Sequence, residues 1–164
     1  MLYNLIMENK RSSLDYILTY KDKYILSNKN LSQNSVTEKE LYFNIISDAD
    51  IILKKLGMSP HKVGYQYWKD AVAAYIISNK IHLNITKDIY PFLAEKYSKK
   101  VSSIERAMTI CIDNVTYYTS KNEVNTLRDF IPNQIMFPKN SMILAIIVEI
   151  LVTRRFQEQK ARYA

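Results

Sequence analysis

ITKDIYPFLAEKYSKKVSSIERAMTICID, residues 85–113, decides the fold. Ile85, Ile89, Leu93 and Tyr97 recur every four positions, and after a break Val101, Ile104, Met108 and Ile112 recur every three or four. Both stripes have the period of a helix with one buried face. The break of about three residues, Lys99 to Val101, leaves room for a turn and little else, so the second helix is predicted from Ser102. Ala94 supplies a small side chain where two helices must approach closely. Helix, short turn, helix at this spacing predicts a helix-turn-helix. Pro91 falls inside the first stripe, so either that helix begins near the proline or its first turn is distorted.

Working outward, Thr37 stands three residues before Glu40, a capping-box pattern, and opens a periodic run through Leu41, Ile45, Ile52 and Leu56. Gly57, with Pro60 beyond, is placed to end it. A helix is predicted from Tyr65 to Ser78, with Tyr67, Ala71, Ala74 and Tyr75 inward. Downstream come a short helix around Val124 to Phe130, a loop with Pro132 and Pro138, and a long apolar helix from Ser141 to Gln159. Residues 1–36 read as an N-terminal segment with one helix, SLDYILTYKDKYIL, and a Ser/Asn-rich linker, SNKNLSQNS. Residues 37–164 read as the main domain. With only 2 Gly and 4 Pro in 164 residues there are few sites for the tight turns of many short strands, and the expectation is all-α.

Composition narrows the function classes. No GxGxxG or GxxxxGK[ST] pattern exists, which argues against the common nucleotide chemistries. One cysteine, Cys111, and two histidines, His61 and His82, do not make a zinc site, and no metal or cofactor is expected. Nor can a carboxylate pair or nucleophile constellation be assembled, so the chain does not read as an enzyme. Met142–Val152 spans 11 apolar-rich residues interrupted by Glu149, against about 20 needed to span a bilayer. No membrane association is expected, and lone-cysteine usage and the N-terminus suit the cytoplasm. The net charge of +7 points to a polyanion such as nucleic acid.

Four stretches also resemble a known family. Gly57, His61, Gly64, Tyr65 and Tyr67 in GMSPHKVGYQY carry the likeness, with Ile85, Thr86, Lys87, Tyr90, Pro91, Ala94 and Lys96. So do Ser102, Glu105, Arg106 and Ala107 in SSIERA, and Pro138, Asn140 and Ser141 in PKNS. In order and spacing these are similar to the C-terminal effector domains of the stage 0 sporulation protein A family, over roughly residues 45–157. The resemblance implies a six-helix effector domain that binds double-stranded DNA as a transcription regulator. Its recognition helix would begin at Ser102. The family's N-terminal phosphoreceiver has no counterpart in the roughly 45 residues before the match, so the chain reads as a receiver-less form. Ser103, Thr109 and Ile110 stand where the family has basic residues.

The resemblance and the outward face of the second helix together nominate base readers. Ser102, Ser103, Glu105, Arg106 and Thr109 are the set. Arg106 leads it, because a guanidinium can bond guanine O6 and N7 together, worth about 1–3 kcal/mol of discrimination. Glu105 has two readings, acceptor from cytosine N4 or third residue of a capping box opened by Ser102. Lys87, Lys96, Lys99 and Lys100 are the candidate phosphate contacts. Between Ile85 and Arg106 stand five basic and three acidic residues, so binding is expected to be weak and salt-sensitive. The C-terminal helix 141–159 is apolar almost all round and must be covered by its own domain or by a second copy in a homodimer. A rival reading is a protein-interaction module, an antagonist that pairs with a full-length regulator and has lost specific DNA reading.

Overall fold

The computed structural model describes residues 38–78, 83–118 and 127–163. The predicted N-terminal helix, the linker, Thr37 and His82 lie outside the described residues. Within them the fold is all-α, with no strand: α1 (Glu38–Lys55), α2 (Val63–Ile77), α3 (Tyr90–Tyr97), α4 (Val101–Tyr118) and α5 (Asn140–Tyr163). A single π-helical turn, Ile85–Ile89, leads into α3, and a 3₁₀ turn, Leu127–Phe130, precedes α5. Among the described residues the count is therefore five α-helices, where six were expected. The segment read as a short helix at 124–130 contributes, within the described residues, only that 3₁₀ turn, because Pro132 disfavours helical backbone at Ile131 and closes off any extension.

α1 ends as its sequence predicts. Gly57 takes φ +87°, the left-handed conformation that glycine adopts without a Cβ penalty. Met58 N–H then bonds the Leu53 carbonyl and Gly57 N–H the Lys54 carbonyl, satisfying the last turn. Ile45, Ile52 and Leu56 are buried as expected. At the other end of the sequence, Leu127 N–H bonds the Leu56 carbonyl and ties the 3₁₀ turn to the same corner.

α2 is the central helix, packed against α1, α3, α4 and α5. Of its predicted inner residues Tyr67 and Ala71 are buried, while Ala74 and Tyr75 are half-buried. Trp68, Val72 and Ala73 are fully buried as well, so this helix is enclosed on more sides than a single stripe requires. α5 is enclosed similarly. Ile143, Leu144, Ile147, Val148, Leu151 and Val152 are all buried by the chain's own α1, α2 and α4. Ile146 and Ile150 are half-buried. The apolar circumference of α5 is thus largely satisfied within the domain. No helix among the described residues is long and apolar enough to cross a membrane.

Candidate nucleic-acid interface

The proline question resolves through the π turn. Asn84 caps it, its side-chain oxygen accepting from Thr86 N–H at 2.9 Å and Lys87 N–H at 3.0 Å, while Asp88 reaches back to Asn84 N–H at 2.9 Å. This is the reciprocal logic of a capping box. α3 starts at Tyr90, and Pro91 falls in its first turn, directly after a π turn closed by Tyr90 N–H on the Ile85 carbonyl, whose wider winding accommodates the ring and the missing N–H. Both alternatives posed by the sequence are met: the regular helix begins beside the proline, and the turn before it is wide.

The break between the two helices lies one residue earlier than predicted. Ser98 adopts the left-handed conformation at φ 51°, with Ser98 N–H bonded to Glu95 O at 3.2 Å and Lys99 N–H to Ala94 O at 3.0 Å. Ser98, Lys99 and Lys100 form the turn, and α4 starts at Val101. The Lys100 carbonyl accepts from Ser103 and Ile104 N–H, so Ser102 sits inside the first turn and does not cap it. The Ser102–Glu105 capping box accordingly does not form. Val101 is exposed at the helix start, whereas Ile104, Met108, Cys111, Ile112 and Val115 make the buried stripe. Burial pushes the Cys111 thiol up to about 11, and it is inert at neutral pH.

Two contacts fix how α4 lies on α2. A Cβ built on Gly64 would stand 2.1 Å from the Ala107 carbonyl oxygen, so only glycine permits this approach. One helical turn on, the Trp68 indole N–H donates to the Met108 carbonyl at 3.1 Å. A third element holds the opposite flank. Asn140, buried at the start of α5, donates through Nδ2 to the Tyr90 hydroxyl at 2.9 Å and the Thr109 hydroxyl at 3.1 Å, with a longer contact of 3.4 Å to the Glu105 carbonyl. One amide group therefore joins α3, α4 and α5. Burial and the charge of Glu105 raise the Tyr90 hydroxyl above its ordinary value, and the bond from Asn140 works in the other direction.

On the outer face, Ser102, Ser103, Glu105 and Arg106 are exposed, and their side chains bond no other described residue. Thr109 is exposed too but differently placed. Its hydroxyl hydrogen goes to the Glu105 carbonyl at 2.9 Å and one lone pair takes Asn140, which leaves a methyl group and one lone pair to offer outward. Ile110 is 43% exposed on the same side.

The lysines also divide. Lys87, Lys99 and Lys100 are exposed. Lys96 instead joins the carboxylate of Asp70 at 2.9 Å and the Tyr42 hydroxyl at 2.9 Å, above the Tyr42 ring at 5.0 Å. Asp70 is 1% exposed, and also accepts from Tyr42 at 2.6 Å and from the Tyr97 hydroxyl. Burial, then the bond to Asp70 and its charge, hold both tyrosines far above the ordinary phenol range. Sequence reasoning missed this cluster. Its signal was a carboxylate at the head of the apolar stretch from Ala71 to Ile77, on a helix enclosed by its neighbours, where an acid persists only with partners. Asn140 was noticed only as part of a likeness, with no role assigned.

No solved structure matches the chain. Residues 49–151 match the model of the family described as Sporulation initiation factor Spo0A C terminal. The matched span contains the whole of α2, α3 and α4, the turn between the last two, and Asn140.

Proposed function

Because the chain belongs to the Spo0A C-terminal family, a family of DNA-binding sporulation regulators, we propose that it regulates transcription by reading double-stranded DNA through the outer face of α4. The observation that carries this reading is the set of four polar side chains, Ser102, Ser103, Glu105 and Arg106, exposed together at the N-terminal end of α4 with no other described residue holding them. Arg106 contacts a guanine edge, Glu105 a cytosine amino group, and the two serines bases or phosphates. Lys99 and Lys100, in the turn, meet the phosphate backbone beside the positive end of α4, and Lys87 extends that contact along the π turn. Thr109 offers the groove a methyl group, and Lys96 a cation already shared with Asp70, so both contribute less than their positions alone imply.

Selection from random duplex DNA at moderate salt tests this directly. The expected result is an enriched motif whose enrichment falls with Arg106→Ala, at about 1–3 kcal/mol for the base it reads. Lys99→Ala with Lys100→Ala weakens binding to every sequence alike and lowers the salt slope by about 1–2. An unchanged motif and affinity in Arg106→Ala would overturn the assignment. The exposed Ile110 favours a second reading as a protein-interaction module, for which the same selection returns no motif and a stable complex forms with another regulator. Self-association through the uncovered edge of α5, where Phe130, Ile146, Ile150 and Arg154 line a groove of ≈ 400 Å³, is the corresponding proposal for pairing on tandem sites, tested by sedimentation with and without DNA.

A further inference from the structure

Away from α4, a groove of ≈ 480 Å³ opens where α1, α2 and α3 meet, lined by Lys39, Tyr42, Phe43, Ala74, Ile77 and Phe92. Phe43 is 59% and Phe92 38% exposed along it, an apolar patch on an otherwise strongly basic chain. We propose that this groove seats a segment of the same chain, residues 13–26.

Position, pattern and reach support that occupant. The segment SLDYILTYKDKYIL, wound as a helix, gathers Leu14, Ile17, Leu18, Tyr24 and Ile25 into one stripe and sets Asp15, Tyr16, Thr19, Asp22 and Lys23 opposite, with the terminal Leu26 the one aliphatic residue on that side. Only Lys21 falls within the stripe, and its stem can lie along apolar surface with the ammonium at the edge. An amphipathic helix laid in an apolar groove is a common mode of recognition. Residues 27–37 separate the segment from α1, and Lys39 on the groove wall stands in the first turn of that helix. Eleven residues reach about 36 Å when extended, and about 18 Å on average as a flexible chain. A tether of that span, attached at the rim, holds the segment near the groove at an effective concentration on the order of millimolar. An apolar stripe already on the chain therefore outcompetes a separate molecule of similar affinity. Because Phe92 belongs to α3, the docked segment rests against the first helix of the helix-turn-helix.

Hydrogen exchange on the full chain tests the proposal without reference to DNA. Amides of residues 14–25 are expected to exchange about tenfold or more slowly in the unaltered chain than in Phe43→Glu, with protection of α2 and α4 unchanged between the two. Ile17→Glu, which alters the segment and leaves the groove intact, is expected to release the same amides, and it keeps the test open should Phe43→Glu perturb α1. Equal, unprotected exchange in all three chains overturns the proposal. Protection that survives both substitutions overturns it as well. Protection that disappears on dilution assigns the groove to a second copy of the chain and overturns the intramolecular seat.

Discussion

Asn140 and Thr109 are joined by a 3.1 Å hydrogen bond that crosses from the start of α5 to the outer edge of α4. Because Asn140 also supports the buried Tyr90 hydroxyl, its loss strands more than one group. Asn140→Ala is expected to lower unfolding free energy by about 1–3 kcal/mol and Thr109→Val by less, since the valine leaves Asn140 its bond to Tyr90. The double variant should lose less than the two together, with a coupling of about 0.5 kcal/mol or more. Urea unfolding of the four proteins measures it, and strict additivity would show that the bond contributes nothing.

Gly64 faces the Ala107 carbonyl so closely that Gly64→Ala must push α2 and α4 apart. The obstacle is backbone, which cannot swing aside as a flexible side chain would. A loss of about 1–3 kcal/mol or more is expected, read as a fall in thermal midpoint by circular dichroism. Ala73→Gly, on the same helix, offers a comparison governed by helix propensity and a small cavity. A midpoint for Gly64→Ala equal to that of the parent would contradict the close approach.

Lys96 and its neighbours in sequence separate by what they hold. Lys96→Met leaves Asp70 buried with only the two tyrosine donors, and a cost of about 2 kcal/mol or more is expected for a buried carboxylate deprived of its cation. Lys99→Met and Lys100→Met, in the exposed turn, should stay within about 0.5 kcal/mol of the parent. Denaturant titration distinguishes the three, and equal stabilities would mean that the ion pair is dispensable.

Tyr42, Tyr65 and Tyr97 each donate to a carboxylate, the first and last to Asp70 and Tyr65 to Asp50. Burial, followed by those carboxylates, raises all three hydroxyls well above the ordinary value of 10.0. The unfolded chain ionises first, so stability is full below pH 10 and falls as pH rises beyond it. Ultraviolet titration should show these three phenols ionising only together with loss of helix. Asp50 behaves oppositely. Burial opposes its ionisation, but bonds from Lys54 and Tyr65 and the charges of Lys54 and Lys69 outweigh it and hold the carboxyl below 3.8. Its contribution is present above that pH and is lost as pH falls further.

Periodicity made the helices legible because each has a buried stripe that a 3.6-residue repeat must line up. Ile104, Met108 and Ile112 could be read that way, and Gly57 could be read as a stop because its backbone conformation is one that few other residues accept. The outer face of α4 was legible for the complementary reason. What stayed hidden depends on residues far apart in the chain. Nothing near Thr109 announces that its hydroxyl is taken by a residue 31 positions later, and nothing near Lys96 announces Asp70, 26 positions earlier. Val101 was misassigned because a helix end breaks the rule that every member of a stripe is covered. Of the short helix read around 124–130, the described part, 127–130, is a 3₁₀ turn, which a few periodic residues do not distinguish from an α-helix.

Trp68 has a consequence for experiment as well as for packing. It is the chain's single tryptophan, it is fully buried, and its indole nitrogen is bound to the backbone of α4. Its emission therefore reports one helix–helix junction with no competing indole, blue-shifted while α4 is seated and red-shifted when water reaches the ring. Any agent that shifts α4 against α2, a DNA duplex included, becomes visible in the unlabelled protein.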